Sequence, residues 1–343
     1  MRARNGRMAD IVFFKSCHHA VRQAGIYLQE PRSPVSVFYR GQTERGPMVL
    51  MPQNLERYVV IVADNFGRSS SVNVAVAEAY DRGILSAASI MTGGKAFAEA
   101  VQIAKKRGRL SVGLHIALCD GRGVLPHSEV PGLVDVQGCF EKNPSRAWIR
   151  YSRPGGIQKQ IDAEINAQFS CLEKAGIQPD YIDSHHHLHM HPAIFSMICR
   201  HAYRRGIRWI RVPHEPLSWV FQSRNASRGA QPFMKWAAFS VLRLFNMAKV
   251  RANGLLTLRY AYGLSQEGQI DEQYLLDVAA RSGHIVEICT RPDIATEAGR
   301  RELEALMSRA VRNKFTSCGL VIAGYHELSD EMMLLGTGVA KGL

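Results

Sequence analysis

Five histidines fall within the seven positions 185–191, out of 13 in the whole chain, inside the run Asp183-Ser184-His185-His186-His187-Leu188-His189-Met190-His191-Pro192. If this run is extended, side chains alternate between faces, so Asp183, His185, His187 and His189 share one face while Ser184 and His186 take the other. Three imidazoles on one face would be a set of borderline ligands suited to a divalent transition metal. A solvated or structural histidine-rich loop is the plainer alternative.

Two further positions carry chemistry. His115 closes the apolar run SVGLHIAL; a lone strand histidine is ordinarily a hydrogen-bonded core residue, and a metal ligand is the sharper reading. Asp64-Asn65-Phe66-Gly67 follows the apolar run RYVVIVA. An acid before a glycine turn is common punctuation, but barrel enzymes also place catalytic groups at the carboxyl ends of strands.

Rigid elements must bring these groups together, and the chain supplies them in alternation. Arg57 to Asp64 is built on the β-branched run Val59-Val60-Ile61-Val62 and has the look of a buried parallel strand. A helix over Val72 to Tyr80 closes at Arg82-Gly83, and ILSAASIMTGG is a second strand. The pattern continues with a helix over Phe97–Arg107, strand SVGLHIAL, a long loop to about Tyr151, a helix over Ile157–Ala175 and strand DYIDSH. A helix from Pro192, strand IRWIRVP, a basic apolar segment at 222–262, a helix over Glu272–Ala280, strand HIVEICT, a helix over Arg301–Arg309 and strand GLVIAGY complete it. Such alternation predicts an α/β fold, a parallel sheet or an irregular (β/α) barrel, in a single catalytic domain over 57–330. Residues 331–343 are expected to be a C-terminal tail. Residues 1–56 show little periodicity and are expected to be an extension; Met48 and Met51, just before the first strand, are candidate alternative starts.

A chain of 343 residues with 46% hydrophobic content can bury a large core. Its 43 Lys+Arg against 30 Asp+Glu give a net charge of +13, which suits an anionic surface or acidic small molecules. No aromatic RNA-binding pattern and no zinc-finger spacing is present, so nucleic acid is not the expected partner. The seven cysteines form no CxxC pair, which points to a reduced compartment. The basic N-terminus has only the short apolar run IVFF, too short for a signal-peptide core. The expected location is the cytoplasm, with the inner-membrane surface as a peripheral site.

Taken in order, ADNFG, Val72-Asn73, SAASIMTGG, VGLH and IDSHHHLHMHP resemble the successive motifs of the YdjC-like carbohydrate deacetylases, over about Arg57 to His326. GRGVLP, LVDVQGCF and RVPHEP resemble the branch associated with hopanoid biosynthesis, which removes acetyl from an N-acetylglucosaminyl hopanoid. The resemblance implies a polysaccharide-deacetylase, TIM-like barrel holding one divalent metal, zinc or magnesium. It implies metal ligands at Asn65, His115 and His185 and a general base at Asp64. Hydrolysis of the acetamide would then give acetate and a free amine. A homodimer is a compatible assembly.

Two positions depart from that pattern. Asn65 stands where the family has a metal-binding Asp, and a neutral amide is a weaker ligand for hard cations; it shifts the preference toward zinc. Arg291 stands before Pro292 where the family has a histidine that can act as general acid, and arginine is effectively never deprotonated. His187 or His189 is expected to take that role, with Arg291 holding an oxyanion. The segment Pro232–Arg251 combines Phe233, Trp236, Phe239, Leu242, Leu244, Phe245 and Met247 with Lys235, Arg243, Lys249 and Arg251. It suits either a helix in a membrane interface or an ordinary core helix. Three functions remain open at this point: a glycolipid N-deacetylase, a family member that binds glycan or lipid without turnover, and a deacetylase of soluble chitooligosaccharides.

Overall fold

The computed structural model describes residues 57–334, apart from 154, 223–230, 267 and 284. The expectations about residues 1–56 and about an alternative start lie outside the described residues. Eight strands among the described residues form one sheet: β1 Arg57–Phe66, β2 Ala87–Ile90, β3 Ser111–Ile116, β4 Tyr181–Ser184, β5 Trp209–Ile210, β6 Tyr260–Tyr262, β7 Ile285–Thr290 and β8 Leu320–Ile322. The order is β5-β4-β3-β2-β1-β7-β6, every ladder is parallel, and β8 pairs with the first residues of β1. The edge strands are drawn together without a regular ladder. Ile210 N donates to Leu256 O at 2.9 Å, Leu256 N to Arg208 O at 2.7 Å, and Ala261 N to His214 O at 2.9 Å. The sheet is thus an irregular (β/α) barrel, as the alternation of elements predicts.

The helices are α1 Ser70–Arg82, α2 Phe97–Lys105, α3 Pro144–Tyr151, α4 Ile157–Lys174, α5 Pro192–Arg204, α6 Leu217–Gln222, α7 Gln231–Ala252, α8 Glu272–Arg281, α9 Glu297–Met307, α10 Arg309–Ser317 and α11 Tyr325–Leu334. Three differ from the sequence reading. Helix α3 ends what reads as a loop, capped by Asn143, whose Oδ1 accepts from Ser145 N and Arg146 N. The helix read over Arg301–Arg309 breaks at Ser308, which caps a separate α10. Helix α11 reaches into the segment read as tail. The basic apolar segment contains α7, a helix of 22 residues.

Period-2 alternation along the strands sorts the core into two sides. Val59, Ile61 and Ala63 of β1 join the large cluster under the helices, as do Leu114 of β3, Ile182 of β4 and Ile288 of β7. Tyr58, Val60 and Val62 of β1 turn the other way and pack with Ala87, Tyr181, Trp209 and Tyr325 inside the barrel. The inward positions next along each strand are polar: Asp64, His115, Asp183, Arg211 and Glu287, all buried. An apolar floor therefore carries a polar layer at the carboxyl ends of the strands, where barrel folds build their sites.

Candidate active site

The polar layer is organised by Arg211, which is fully buried. Its Nη1 lies 2.9 Å from Asp64 Oδ1 and 2.7 Å from Asp183 Oδ2, and its Nε donates to Glu287 Oε1. Tyr325 Oη donates to the other oxygen of Glu287 at 2.8 Å. Burial pushes the Asp183 carboxyl up, but Arg211 and His115 beside it outweigh that and hold it below the ordinary carboxylate range. Ser89 Oγ donates a further 2.6 Å hydrogen bond to Asp183.

Asp183 also fixes His115. The two residues are register partners across β3 and β4, and His115 Nδ1 stands 2.7 Å from Asp183 Oδ1. The carboxylate accepts, so Nδ1 carries the proton and Nε2 presents a lone pair. That Nε2 is buried and has no hydrogen-bond partner in the protein. A carboxylate behind an imidazole whose other nitrogen is vacant is the usual support of a metal-binding histidine.

Asp64 and Asn65 close β1. The strand register shifts between Ala63 and Phe66, and Asn65 takes φ 68°, a left-handed conformation that Asn tolerates better than most residues. The turn is locked by Asn73, whose Oδ1 accepts from Gly67 N and whose Nδ2 donates to Ala96 O. Gly94 packs so closely that a Cβ there would lie 2.1 Å from Gly67 O. Asn65 Oδ1 and Asp64 Oδ2 are both buried and accept no hydrogen bond. The Arg291 guanidinium approaches Asp64 Oδ2 to 3.5 Å. Its backbone N–H donates to Glu302, a carboxyl that burial pushes up to about 7.

The histidine run is not an extended face. Strand β4 stops at Ser184, and His185–Met190 is a helical turn of 3-10 type broken at His186 and His187, with φ of 52° and 54°. The three imidazoles expected on one face therefore go to different surroundings. His185 Nε2 faces Arg68 and Asp120. His189 is tied into the fold: Nδ1 meets Ser184 Oγ at 2.6 Å and Nε2 meets Arg211 O at 2.8 Å. Both His189 nitrogens are thus engaged, and burial holds the imidazole down at about 4. His187 is buried with neither nitrogen hydrogen-bonded, its ring edge-on to Phe239 with centroids 5.7 Å apart. Burial first, then Lys235 and Arg291, hold it well below the usual histidine value. Phe239 with Lys235, Trp236, Pro213, His214 and Leu264 lines a recess of about 300 Å³, counting its open mouth.

Two groups of described residues have ligand atoms close enough to share a metal ion: Asp64, His115 and Asp183, and Asp120, His185 and His186. Within the first, the Arg211 guanidinium already sits between the carboxylates through Asp64 Oδ1 and Asp183 Oδ2, which leaves His115 Nε2 and Asp64 Oδ2 without a hydrogen bond. The sequence reading missed Arg211, Glu287, Arg68 and Asp120. The first two had a signal: a charged residue at an inward position of an otherwise apolar strand.

Comparison with known proteins agrees with this architecture. Residues 58–317 match the YdjC-like protein family. A carbohydrate deacetylase of Geobacillus stearothermophilus is 35% identical over 164 residues, 47% of this chain and 63% of that protein. A chitooligosaccharide deacetylase of Salmonella typhimurium is 33% identical over 154 residues, 45% of this chain and 58% of that protein. The chain thus spans less than two thirds of the length of these curated relatives. The crystal structure of an Enterococcus faecalis protein, described as a candidate cellobiose-phosphate cleavage protein, superposes with a TM-score of 0.61 at 23% identity. That match covers 80% of this chain and 99% of the other, and it shows a shared fold.

Proposed function

This chain belongs to the YdjC-like protein family, and on that premise we propose that it is a metal-dependent carbohydrate N-deacetylase that hydrolyses the acetamide of an N-acetylated sugar. One observation carries the reading: a buried Asp64 oxygen with no hydrogen bond lies in the same polar layer as a buried His115 Nε2 oriented by Asp183. The unpartnered His115 Nε2 and Asn65 Oδ1 would be ligands of a divalent cation, with His185, whose ring centroid lies 5.6 Å from that of His115, as the third residue. When bound, such a cation supplies Lewis acidity toward the amide carbonyl and its attacking water.

The protein's own groups do the rest. Arg211 aims Asp64 by holding its Oδ1, leaving Oδ2 to take a proton from the attacking water. Oxygen of that water bonds to the acetyl carbon, the C–N bond breaks, and the proton on Asp64 passes to the leaving nitrogen. Asp64 returns the proton because the other candidates are unsuited. Arg291 cannot donate one, His189 is committed to the fold, and His187 is held neutral. Arg291 instead supports negative charge developing beside Asp64.

The finer substrate we propose is a glycolipid, an N-acetylglucosaminyl hopanoid taken from the cytoplasmic face of the inner membrane. Helix α7 supports this. Its Leu242, Ala238 and Val250 pack inward, Trp236 Nε1 donates to Glu215 O, and Phe239 meets His187. Phe233, Met234, Leu244 and Phe245 face outward and are exposed. Spacing of 10 to 12 residues between the two exposed pairs keeps them on one side of the helix, with Lys249 and Arg251 near its end. The apolar residues read together from sequence thus divide between two faces, and only the outward ones can touch lipid. Among the described residues no helix is long and apolar enough to cross a membrane. A soluble chitooligosaccharide is the second reading, favoured by the Salmonella relative.

The test is acetate release by the metal-loaded chain from N-acetylglucosaminyl glycolipid in vesicles and from soluble chitobiose, with Asp64→Asn as control. Release from neither substrate overturns the deacetylase. Release only from chitobiose, or vesicle binding unchanged by Leu244→Glu with Phe245→Glu, overturns the lipid assignment.

A further inference from the structure

The rim cluster beyond β3 and β4 contains a contact that its neighbours do not explain. Arg68 Nη1 lies 3.0 Å from His185 Nε2, and Arg68 Nη2 lies 3.0 Å from Asp120 Oδ2. A guanidinium nitrogen only donates, so His185 Nε2 is an acceptor here and the ring carries its proton on Nδ1. Asp120 Oδ2 accepts from the same guanidinium. Yet His185 Nε2 and Asp120 Oδ2 are themselves 3.4 Å apart, and His186 Nε2 is 3.8 Å from the same oxygen. The 3.4 Å contact therefore has no proton in it: lone pairs converge, held by one positive charge. Two ligands at about 2.0–2.1 Å from a tetrahedral ion sit roughly 3.3–3.4 Å from each other. The three ligand atoms lie within 4.8 Å of one another.

We propose that Asp120, His185 and His186 form a divalent-cation site in which Asp120 supplies the carboxylate that Asn65 cannot, with Arg68 occupying the position until a cation displaces it. His185 is common to this set and to the set that the family resemblance implies with Asn65 and His115, and the two sets differ in which residue gives the anionic ligand. Displacement is open to Arg68, whose side chain is 41% exposed. Two imidazoles and one carboxylate form a ligand set typical of zinc rather than magnesium, which prefers oxygen donors and retains its waters. For the cation to serve catalysis the proposal rests on the deacetylase reading; the site itself does not.

The test is Co²⁺ and Zn²⁺ titration of the demetallated full chain, read by calorimetry and by the visible absorption of Co²⁺, in wild type and three variants. Asp120→Asn should weaken binding at least about tenfold and alter the Co²⁺ band. Asn65→Ala, which removes only a neutral and weaker oxygen donor, should weaken binding less than Asp120→Asn does. Arg68→Ala, which removes the competitor and keeps every ligand, should tighten binding. Absence of Co²⁺ binding in wild type, greater loss in Asn65→Ala than in Asp120→Asn, or no gain in Arg68→Ala overturns the site. Acetate release measured alongside separates the two claims. Binding that depends on Asp120 without release removes the deacetylase and keeps the site, whereas release indifferent to Asp120→Asn does the reverse.

Discussion

Two arginine-centred clusters stand at the carboxyl end of the sheet, and they differ in access to water. Arg211 is fully buried and bridges Asp64, Asp183 and Glu287, three carboxylates from three strands or strand ends. Arg68 is 41% exposed and bridges His185 and Asp120, the latter with a side chain 32% exposed. The same guanidinium chemistry serves different ends. Inside, no solvent can replace the arginine, so it is a permanent part of the fold that sets the aim of the reacting groups. At the rim, water can replace it, so its place is exchangeable.

The largest effect expected from this contrast is on Arg211. Arg211→Met leaves buried carboxylates uncompensated and should cost about 3–5 kcal/mol in denaturant unfolding; a midpoint close to wild type would break the comparison. Asp183→Asn comes next. It removes the anion that orients His115 and should weaken cation binding by about 10–100-fold, read by calorimetry, whereas unchanged affinity would detach His115 from the site. Glu302 extends the buried region through Arg291. Its folded value of about 7 lies above the ordinary 4.5, so the folded state keeps a proton that the unfolded chain has lost. The stability this gives is complete below pH 4.5 and disappears as pH rises through 7. Glu302→Gln should remove this dependence, on the order of 3 kcal/mol, and unfolding curves at both ends of the window that shift equally in both proteins would reject it. The smallest effect belongs to the rim: Arg68→Ala should change unfolding stability by no more than about 0.5 kcal/mol, and a loss approaching that of Arg211→Met would erase the distinction.

The histidine run shows where pattern reading stops. Alternation holds for Tyr181 to Ser184, because ladder hydrogen bonds enforce it. Beyond Ser184 no strand partner continues, the backbone turns, and neighbouring histidines enter unlike surroundings: a rim, a contact with the Phe239 ring and the Arg211 carbonyl. Strand β6, three residues long, and β5, of two, carry too little periodicity to be delimited from sequence.

What the sequence determined alone was the alternation of strand and helix, the family pattern, and the delivery of Asp64, Asn65 and His115 to strand ends. These follow from short-range rules: burial on both faces, period 2, and turn residues at fixed offsets. Only the tertiary structure decided which groups meet. Arg211 reaches Asp64 across 147 positions of chain, and Arg68 and Asp120 meet His185 from loops 117 and 65 positions away. Such partners leave no local signature, because their energy depends on burial and on approach within about 3–4 Å, and both are set by how the barrel curls.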